Sequence, residues 1–423
     1  MLEAHDHRSL AERLDLFHFE DDAPAMVYWH PNGWLMYQQL KHAVRENLAA
    51  SGYREVCTPQ VLRRPVWEAS GHWHHFRQGM FQLASENEAT AAALKPVSCP
   101  GHVQIVRRAL PSYRELPLRL AEFGVVHRDE PSGTLHGLLR LRQFTQDDGH
   151  VFCTPAQAPH EVARFLRSVG PFYAAFGFER ISVGLSTRPP ERFGEDALWD
   201  AAEAVLANVL DELGMPYVLQ PGEGAFYGPK IEFVLTDRAG RRWQCGTIQY
   251  DFSMPERFDL RYVTSDGARV APVMLHRALF GSLERFLGIL LEHHGPNLPA
   301  WLAPTQVRVL PVADAHAPYA QALVDRLRRA KLRVDVDADD SVPRRVLRAH
   351  DDAVPHVLVV GSREVASETV SIRHAGEQRV LPIVEAESVL VVACARPKFD
   401  VAAGTRGGGR EPQRTPSACS TKV

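Results

Sequence analysis

Cysteine is scarce in this sequence: only six of the 423 residues are cysteines, and they are scattered with no paired spacing. A small secreted domain held together by disulfides is therefore excluded. A long chain with so few thiols is typical of a reducing compartment, and we predict that the cysteines are reduced. They stand at Cys57, Cys99, Cys153, Cys245, Cys394 and Cys419.

Long apolar runs and a strong net charge are also missing. The N-terminal segment "MLEAHDHRSLAERLDLF" is charged and lacks the apolar core of a signal peptide, and no run approaches the length of a membrane-spanning helix. The formal net charge is only -3, and most of the positive charge comes from arginine. We predict a cytoplasmic protein without membrane contact, in which a nucleic-acid partner would need a local basic patch.

The order of predicted elements separates two architectures, and internal repeats are absent. Up to about residue 298, strands and helices do not alternate strictly, which favours an antiparallel or mixed sheet flanked by helices over a doubly wound parallel fold. In this part, 136–152 is predicted as one strand and the apolar stretch 275–295 as one long helix. After the Pro- and Gly-rich linker "HHGPNLPAWLAP", strands and helices alternate in a compact α/β pattern.

These patterns divide the chain into four parts. We predict an N-terminal helical segment over 1–26 and an α+β domain over 27–298, with an antiparallel sheet flanked by helices. A small α/β domain follows over 299–397. The polar, Gly-rich stretch 398–423 is predicted to be a disordered tail.

One predicted strand has an unusual face. Alternate residues from Leu138 to His150 place arginines, Phe144 and acidic and amide side chains on the same side. A solvated sheet surface is the commoner explanation of such a charged face. A nucleotide site is the alternative, because Phe144 stands among the charges and Arg128 and Glu130 come just before the connecting turn.

Five longer motifs carry a family resemblance. They are "SCPGHVQI", "EPSGTLHGLLRLRQFTQDD", "GEGAFYGPKIEF", "QCGTIQYDFS" and "HRALFGSLERF". Together they resemble the threonyl-tRNA synthetases, which are class II aminoacyl-tRNA synthetases. The resemblance implies that 27–298 is a class II catalytic domain and that 299–397 is an anticodon-binding-like domain.

The resemblance assigns an ATP site. It implies that Arg128 holds the α-phosphate and that Glu130 takes the adenine amino group. Phe144 would stack on adenine, with Arg285 on the other side, and Arg140 would assist at the phosphates. Attack of a carboxylate on the α-phosphorus needs charge neutralisation and alignment, which arginines and Mg²⁺ supply, and it needs no general base.

The resemblance also implies one Zn²⁺ ion per chain, held by Cys99, His150 and His276. One thiolate and two imidazoles leave a coordination position open, as in a substrate-binding zinc site. Threonine could offer its amino group and its β-hydroxyl to such an ion, whereas valine has no hydroxyl. A site built for a hydroxyl can reject the analogue lacking it by roughly ten-thousandfold.

The remaining implied site residues surround the amino acid. Asp148 would accept the hydroxyl hydrogen bond; the other substrate-binding positions are Gln146, Tyr227, Thr247 and Gln249. Lys230 and His72 match polar positions near the reacting groups, so that the expected catalytic set is Arg128, Arg285, Lys230 and His72. Serine differs from threonine by one methyl group, worth only about 1–3 kcal/mol. Because the sequence starts close to the catalytic domain, we expect no editing domain, and either a separate editing protein or tolerance of serine.

The C-terminal domain departs from the family pattern. Glu364 and Arg373 match anticodon-reading positions, but Asp337, Asp339 and Asp340 stand where basic or neutral residues are usual. Carboxylates near phosphates are repulsive, so we expect weakened or altered binding of tRNA(Thr).

Three interpretations follow from the sequence. The leading one is a homodimeric enzyme that activates L-threonine with ATP and charges tRNA(Thr). A duplicate synthetase that activates threonine or an analogue for biosynthesis or inhibitor resistance is the second. The third is a non-catalytic, synthetase-like binding or regulatory protein.

Overall fold

The computed structural model describes residues 6–84 and 91–398 of the chain. Apart from Lys398, the predicted disordered tail lies outside the described residues. The described helices are α1 (His7–Leu14), α2 (Pro31–Ala50), α3 (Arg64–Ala69), α4 (His72–His75), α5 (Cys99–Arg107), α6 (Ala158–Ala174), α7 (Asp196–Glu212), α8 (Met254–Arg257), α9 (Leu283–His294), α10 (Ala317–Arg329), α11 (Val342–Asp351), α12 (Ser362–Ser367) and α13 (Ile383–Ala393).

The described strands form two larger sheets and some short ones of two or three strands. They are β1 (Phe17–His18), β2 (Tyr28–Trp29), β3 (Arg54–Glu55), β4 (Val61–Arg63), β5 (Gln82–Leu83), β6 (Ala92–Leu94), β7 (Leu118–His127), β8 (Gln143–Cys153), β9 (Ile181–Ser186), β10 (Val218–Gln220), β11 (Lys230–Thr236), β12 (Arg242–Asp251), β13 (Tyr262–Val263), β14 (Arg269–Val270), β15 (Val273–Ala278), β16 (Val307–Pro311), β17 (Val334–Val336), β18 (His356–Val360), β19 (Thr369–His374) and β20 (Glu377–Pro382).

An eight-stranded sheet forms the centre of the first domain. Its order is β10-β9-β11-β12-β15-β8-β7-β3. All neighbours are antiparallel except the two edge pairs, β10 with β9 and β3 with β7, which are parallel. The predicted α+β class with a largely antiparallel sheet is thus confirmed, and the parallel edges make the sheet a mixed one.

The long helices α6, α7 and α9 cover one face of this sheet, whereas the shorter helices α5 and α8 pack against part of the other. Side chains of α6, α7 and α9, among them Phe165, Leu206 and Phe286, form one apolar core with strand residues such as Val151 and Phe233. Burial of this apolar surface from water is the main force that holds the helices on the sheet. On β8, Phe144, Gln146, Asp148 and His150 alternate with the residues that face this core and lie on the opposite side.

The predicted strand 136–152 is wrong over its first seven residues. Residues Gly137–Leu139 form a 3₁₀ turn, and β8 begins only at Gln143. Gly137 has a φ of 48°, which a strand does not allow, and the Leu138 amide donates to His7 Nε2 at 3.0 Å rather than to a strand. Leu138, Arg140 and Arg142 therefore leave the strand face that the sequence assigned to them, and β7 ends before Arg128.

The predicted helix 275–295 is also wrong in its first part. Residues Val273–Ala278 are β15, and the helix α9 begins at Leu283. Gly281 has a φ of 77°, and the Ser282 hydroxyl accepts the Arg285 amide as an N-cap. The strand is fully buried, and its apolar residues stand on both sides of His276 and Arg277, so that its pattern could not be told from a buried helix.

The second domain has its own sheet and core. Its order is β17-β16-β18-β19-β20, with the first three strands parallel and the last two antiparallel to their neighbours. This confirms the small α/β domain. Arg333 joins it to the preceding segment by donating to the carbonyls of Trp301, Ala303 and Pro304 at 2.8–3.1 Å.

Two further findings concern the helices and the thiols of the described residues. None of their helices combines the length and the hydropathy that a membrane crossing requires. The five described cysteines carry free thiols, and four of these are buried.

Candidate functional site

A cavity of about 450 Å³ opens on the polar face of the central sheet. The walls come from β8, β12, β15, the segment between β7 and β8 and the start of α9. Eight residues singled out in the sequence line it: Arg128, Glu130, Arg140, Phe144, Gln146, Thr247, Gln249 and Arg285. Residues more than a hundred positions apart in the chain are thus brought to one site.

Arg128 presents a desolvated cation to this cavity. Its guanidinium lies 5.2 Å from the ring centre of Phe144 and 5.7 Å from that of Phe76, and its Nε donates to the Pro96 carbonyl at 3.3 Å. Burial lowers the pKa of Arg128, although nearby acidic groups including Glu130 act in the opposite direction. A guanidinium that is poorly hydrated and stacked on aromatic rings is well suited to bind a phosphate or a carboxylate.

Two further guanidinium groups lie in the same cavity. Arg140 Nη2 is 2.7 Å from Glu130 Oε2, so the only carboxylate among the lining residues is paired with it. Arg285 Nη1 donates to the Leu139 carbonyl at 3.3 Å, and its buried Nε has no hydrogen-bond partner. Three arginines against one carboxylate give the cavity an excess of positive charge, which favours a polyanionic ligand.

A second group of polar residues lies at the start of β11 and in the segment just before it, next to β12. Tyr227 donates a hydrogen bond to Gln249, and its ring centre lies 5.1 Å from that of His276. Lys230 Nζ is 2.8 Å from Glu232 Oε1, and the Lys230 backbone pairs with Gln249 across β11 and β12. Burial raises the pKa of Tyr227 well above its usual range, so the phenol keeps its proton.

Cys99, His150 and His276 form a buried cluster at the end of the cavity strands. One donor atom of each residue lies within 4.8 Å of the other two. The antiparallel pairing of β8 and β15 places His150 directly opposite His276, and Cys99 is the first residue of α5. Burial raises the pKa of the Cys99 thiol well above its usual range, and the carboxylates of Asp148 and Asp251 add to this effect.

The hydrogen bonds around the cluster fit a cation. His276 Nε2 is 2.9 Å from Asp251 Oδ2, so Nε2 carries the proton and Nδ1 offers a lone pair. That Nδ1 lies 3.0 Å from His150 Nε2, which faces the same space. A thiol, two inward-facing imidazole nitrogens and a carboxylate behind one ring match the donor set and outer contact that a zinc ion with an open position requires.

Asp148 and His72 border this cluster. Asp148 Oδ1 lies 3.5 Å from His150 Nε2, and burial raises the pKa of this carboxyl, partly offset by His102 and His276. His72 Nδ1 lies 2.9 Å from Ser70 Oγ. Burial, followed by the charge of Arg128, lowers the pKa of His72 to about 3, so its imidazole is neutral near pH 7.

Two predicted residues lie away from this site. Glu364 and Arg373 belong to the second domain, on α12 and β19. Glu364 Oε2 accepts the Gly361 amide at 2.9 Å, whereas the buried Nε of Arg373 has no hydrogen-bond partner.

Some site residues were missed in the sequence, and three of them had a signal. Asp251 shares a strand face with Thr247 and Gln249, so the period of two places it in the site. His102 lies three residues after Cys99 and therefore on the same face of α5. The same period of two includes Cys245, whereas the cavity residue Gln244 had no comparable signal.

Two family models match the chain. Residues 81–294 match the tRNA synthetase class II core domain (G, H, P, S and T), and residues 306–392 match an anticodon binding domain. A threonine–tRNA ligase of Thiobacillus denitrificans is 52% identical over 377 residues, which are 89% of this chain and 59% of that relative. The corresponding ligase of Nitrosomonas europaea is 50% identical over 372 residues, 88% of this chain and 58% of that relative. The chain spans less than two thirds of the length of these curated relatives.

Solved structures show the same architecture. The crystal structure of the RNA binding domain of threonyl-tRNA synthetase from Cryptosporidium parvum is 38% identical, with a TM-score of 0.86, and the match covers 93% of this chain and 99% of that one. A putative threonyl-tRNA synthetase from Aeropyrum pernix is 26% identical, with a TM-score of 0.79, over 93% of this chain and 98% of that one. On these grounds the chain belongs to the class II aminoacyl-tRNA synthetases, in the threonyl-tRNA synthetase family.

Proposed function

We propose that this chain activates L-threonine with ATP to threonyl-adenylate and transfers the threonyl group to tRNA(Thr). One observation carries the proposal. Strand β8 holds Phe144 in the arginine-rich cavity at one end and His150 in the Cys99–His276 cluster at the other. A site for a triphosphate and a site for a small amino alcohol are thus about 20 Å or less apart along one rigid strand.

The arginine-rich cavity is the proposed ATP site. Arg128, Arg140 and Arg285 would neutralise the phosphates together with Mg²⁺, and Phe144 would stack on the adenine ring. Glu130 would accept a hydrogen bond from the adenine amino group, which requires that it share or leave its contact with Arg140. Arg128 lies between the two parts of the site and would align the threonine carboxylate with the α-phosphate.

The buried cluster is the proposed zinc and threonine site. Cys99, His150 and His276 would hold Zn²⁺, which supplies an open Lewis-acid position for an amine and an alcohol. Asp148 would accept a hydrogen bond from the threonine hydroxyl. The other polar groups around threonine would be Gln146, Tyr227, Thr247 and Gln249.

The transfer step would use neighbouring polar groups. His72 is neutral and buried near Arg128, so its imidazole would accept a hydrogen bond from the tRNA hydroxyl and orient it as it attacks the adenylate. Lys230, held by Glu232, would stabilise negative charge near the reacting groups.

The larger organisation is part of the same proposal. We infer an N-terminal segment over 1–26, a catalytic domain over 27–298 and an anticodon-binding-like domain over 299–397, in which Glu364 and Arg373 would meet the anticodon. A homodimer is supported by exposed aromatic side chains at the start of α2, where Trp34 is 46% exposed, and just before it at Tyr28. A separate editing protein and a cytoplasmic location complete the proposal.

The test is amino-acid-dependent ATP–pyrophosphate exchange with threonine, serine and valine, followed by charging of tRNA(Thr). We expect exchange with threonine, weaker exchange with serine and none measurable with valine, since a hydroxyl-binding site rejects valine by roughly ten-thousandfold. Exchange without charging would indicate another acceptor than tRNA(Thr). No exchange with any amino acid, or equal exchange with valine and threonine, would contradict the proposal.

A further inference from the structure

A chain of buried polar groups leads away from His150 on the side opposite the metal cluster. His150 Nδ1 lies 2.8 Å from His102 Nδ1, and His102 Nε2 lies 3.2 Å from Glu122 Oε2. Glu122 Oε1 is 2.7 Å from Lys95 Nζ. All four side chains are at least 97% buried, so water does not compete for these contacts.

Glu122 is held as a carboxylate by several donors. The Thr58 amide donates to Oε1 at 2.9 Å and the Thr58 hydroxyl to Oε2 at 2.8 Å, in addition to Lys95 and His102. Burial alone would raise the pKa of Glu122, but the hydrogen bonds from His102, Lys95 and Thr58 lower it to about 2. The Lys95 ammonium balances the negative charge, so the pair is neutral in the interior.

An ionised Glu122 dictates the protonation pattern of two successive rings. A carboxylate accepts only, so His102 Nε2 must carry a proton and donate it. In a neutral His102, Nδ1 then has a lone pair and accepts from His150 Nδ1. His150 therefore carries its proton on Nδ1, and the lone pair of Nε2 points toward Cys99 and His276.

We propose that Glu122, acting through His102, is a positioning group for the metal ligand His150, because it fixes the ring tautomer that presents Nε2 to the ion. The proposal rests on the zinc site of the proposed function. Asp251 supports His276 by a direct contact with its ring. Glu122 would give His150 the same kind of support through the intervening imidazole of His102. Among the described residues, the one competing contact of His150 Nε2 with a carboxylate is with Asp148, at the longer distance of 3.5 Å.

The backbone holds the intermediate ring in place. His102 lies on α5, one turn after Cys99, and a Cβ at the neighbouring Gly101 would lie 2.7 Å from the Thr58 side chain. The close approach of α5 to Thr58 therefore needs glycine at position 101. Cys99 and His102 lie on this same turn of α5. The packing of the turn against Thr58 therefore holds both the proposed metal ligand Cys99 and His102, the middle member of what we call the relay from Glu122 through His102 to His150.

Zn²⁺ affinity of the full chain, measured by chelator competition, tests the proposal without any activity assay. His102→Leu removes the nitrogen that accepts the hydrogen bond from His150 Nδ1 and should weaken zinc binding about 10- to 100-fold. His102→Asn places Oδ1 near the lost Nδ1, still accepts from His150 and should stay within about threefold of the wild type. Glu122→Gln should weaken binding about tenfold, but only while His102 is present.

The double variant and a matched control separate positioning from general damage. In the His102→Asn background the added Glu122→Gln change should have no further effect on zinc affinity, because asparagine has no ring tautomer for Glu122 to select. Glu161→Gln is the control, since Glu161 is a buried carboxylate paired with Arg119 at 2.6 Å outside the relay. It should lower thermal stability and leave zinc affinity unchanged.

The outcomes are distinguishable from those of the proposed function. Two results would contradict the positioning role of Glu122 and His102 without contradicting the zinc site. One is equal zinc affinity of His102→Leu and the wild type, and the other is an equal loss of zinc affinity in the leucine and asparagine variants. A wild-type chain that binds no stoichiometric zinc would overturn the relay together with the zinc site. The expected zinc pattern without threonine-dependent exchange would support the relay and contradict the proposed activity.

Discussion

At the scale of single residues, burial sets the chemistry of the site. The thiol of Cys99 and the rings of His72 and His150 are all pushed toward their neutral forms, chiefly by desolvation. A thiol that resists ionisation needs a cation beside it before it becomes a thiolate. The site thus suits a bound metal ion better than a free nucleophilic cysteine.

Two residues on the same strand should respond differently to truncation. His150→Ala should remove a ligand and abolish both stoichiometric zinc and threonine-dependent exchange. Cys153→Ala, three residues later in the apolar core, should cost about 1 kcal/mol or less of unfolding free energy and leave zinc unchanged. Metal analysis and urea unfolding of both variants check this. Equal loss of zinc from the two would show that the ligand set is misassigned.

At the scale of elements, the first helix holds part of the arginine-rich cavity. His7 of α1 is fully buried, its Nδ1 lies 2.6 Å from Glu292 Oε1, and its Nε2 accepts the Leu138 amide at 3.0 Å. Leu138 lines the cavity two residues before Arg140. The N-terminal helix therefore connects the end of α9 to the segment that carries a proposed phosphate ligand.

His7→Ala should act on ATP binding as well as on stability. The change leaves the Glu292 carboxylate and the Leu138 amide without this partner, at about 1–3 kcal/mol each. We expect a lower melting temperature and a KM for ATP that rises more than kcat falls in the exchange assay. The matched control is His160→Ala, an exposed histidine on α6. An unchanged KM in a destabilised His7 variant would restrict α1 to a structural role.

The cap of the same helix should make stability depend on pH. The Asp6 side chain accepts the Arg8 amide at 2.8 Å, and the hydrogen bond from the Arg8 side chain lowers the pKa of Asp6 to about 2, against some desolvation. Since this pKa lies below its unfolded value of about 4, the stabilisation is present above pH 4 and is lost as the pH falls toward 2. Asp6→Asn keeps a capping group and removes the charge.

Urea unfolding of the wild type and Asp6→Asn between pH 3 and pH 7 measures this contribution. Because solvent screens this partly exposed ion pair, the wild type should be more stable by about 1 kcal/mol or less from pH 5 to pH 7, and the difference should shrink at pH 3. A difference independent of pH would mean that the Asp6 charge does not stabilise the helix.

At the scale of the whole molecule, the acidic loop of the second domain is partly neutralised. Asp337 Oδ2 lies 3.0 Å from Arg348 Nε, and Asp340 Oδ2 lies 3.2 Å from Arg344 Nη1. Asp339 is exposed and its side chain has no ion pair among the described residues. The arginines of α11 that could meet RNA phosphates are therefore held by the chain's own carboxylates.

Removal of this acidity should strengthen tRNA binding. The double change Asp339→Asn and Asp340→Asn fits the backbone, because asparagine tolerates the φ of 94° at position 340. We expect several-fold tighter binding of tRNA(Thr) in filter binding at low salt and a steeper salt dependence. Asp325→Asn, an exposed carboxylate on α10, is the control. Equal gains in both would indicate a general charge effect, and no gain would contradict the expected role of the loop.

The sequence by itself determined the two domain types, the family and the residue types of the site. Alternation along β8 placed Phe144, Gln146, Asp148 and His150 on one face, because strand periodicity is a local property. It did not determine where β8 begins or that His276 lies on a strand, since a short apolar run fits a buried strand and a buried helix equally well.

Only the tertiary structure decided which groups meet. His150 lies opposite His276 because β8 and β15 pair in one register, and Glu122 reaches His102 because α5 packs against β7. Such contacts depend on strand order, register and close packing between distant segments, and none of these is encoded in the spacing of any single motif.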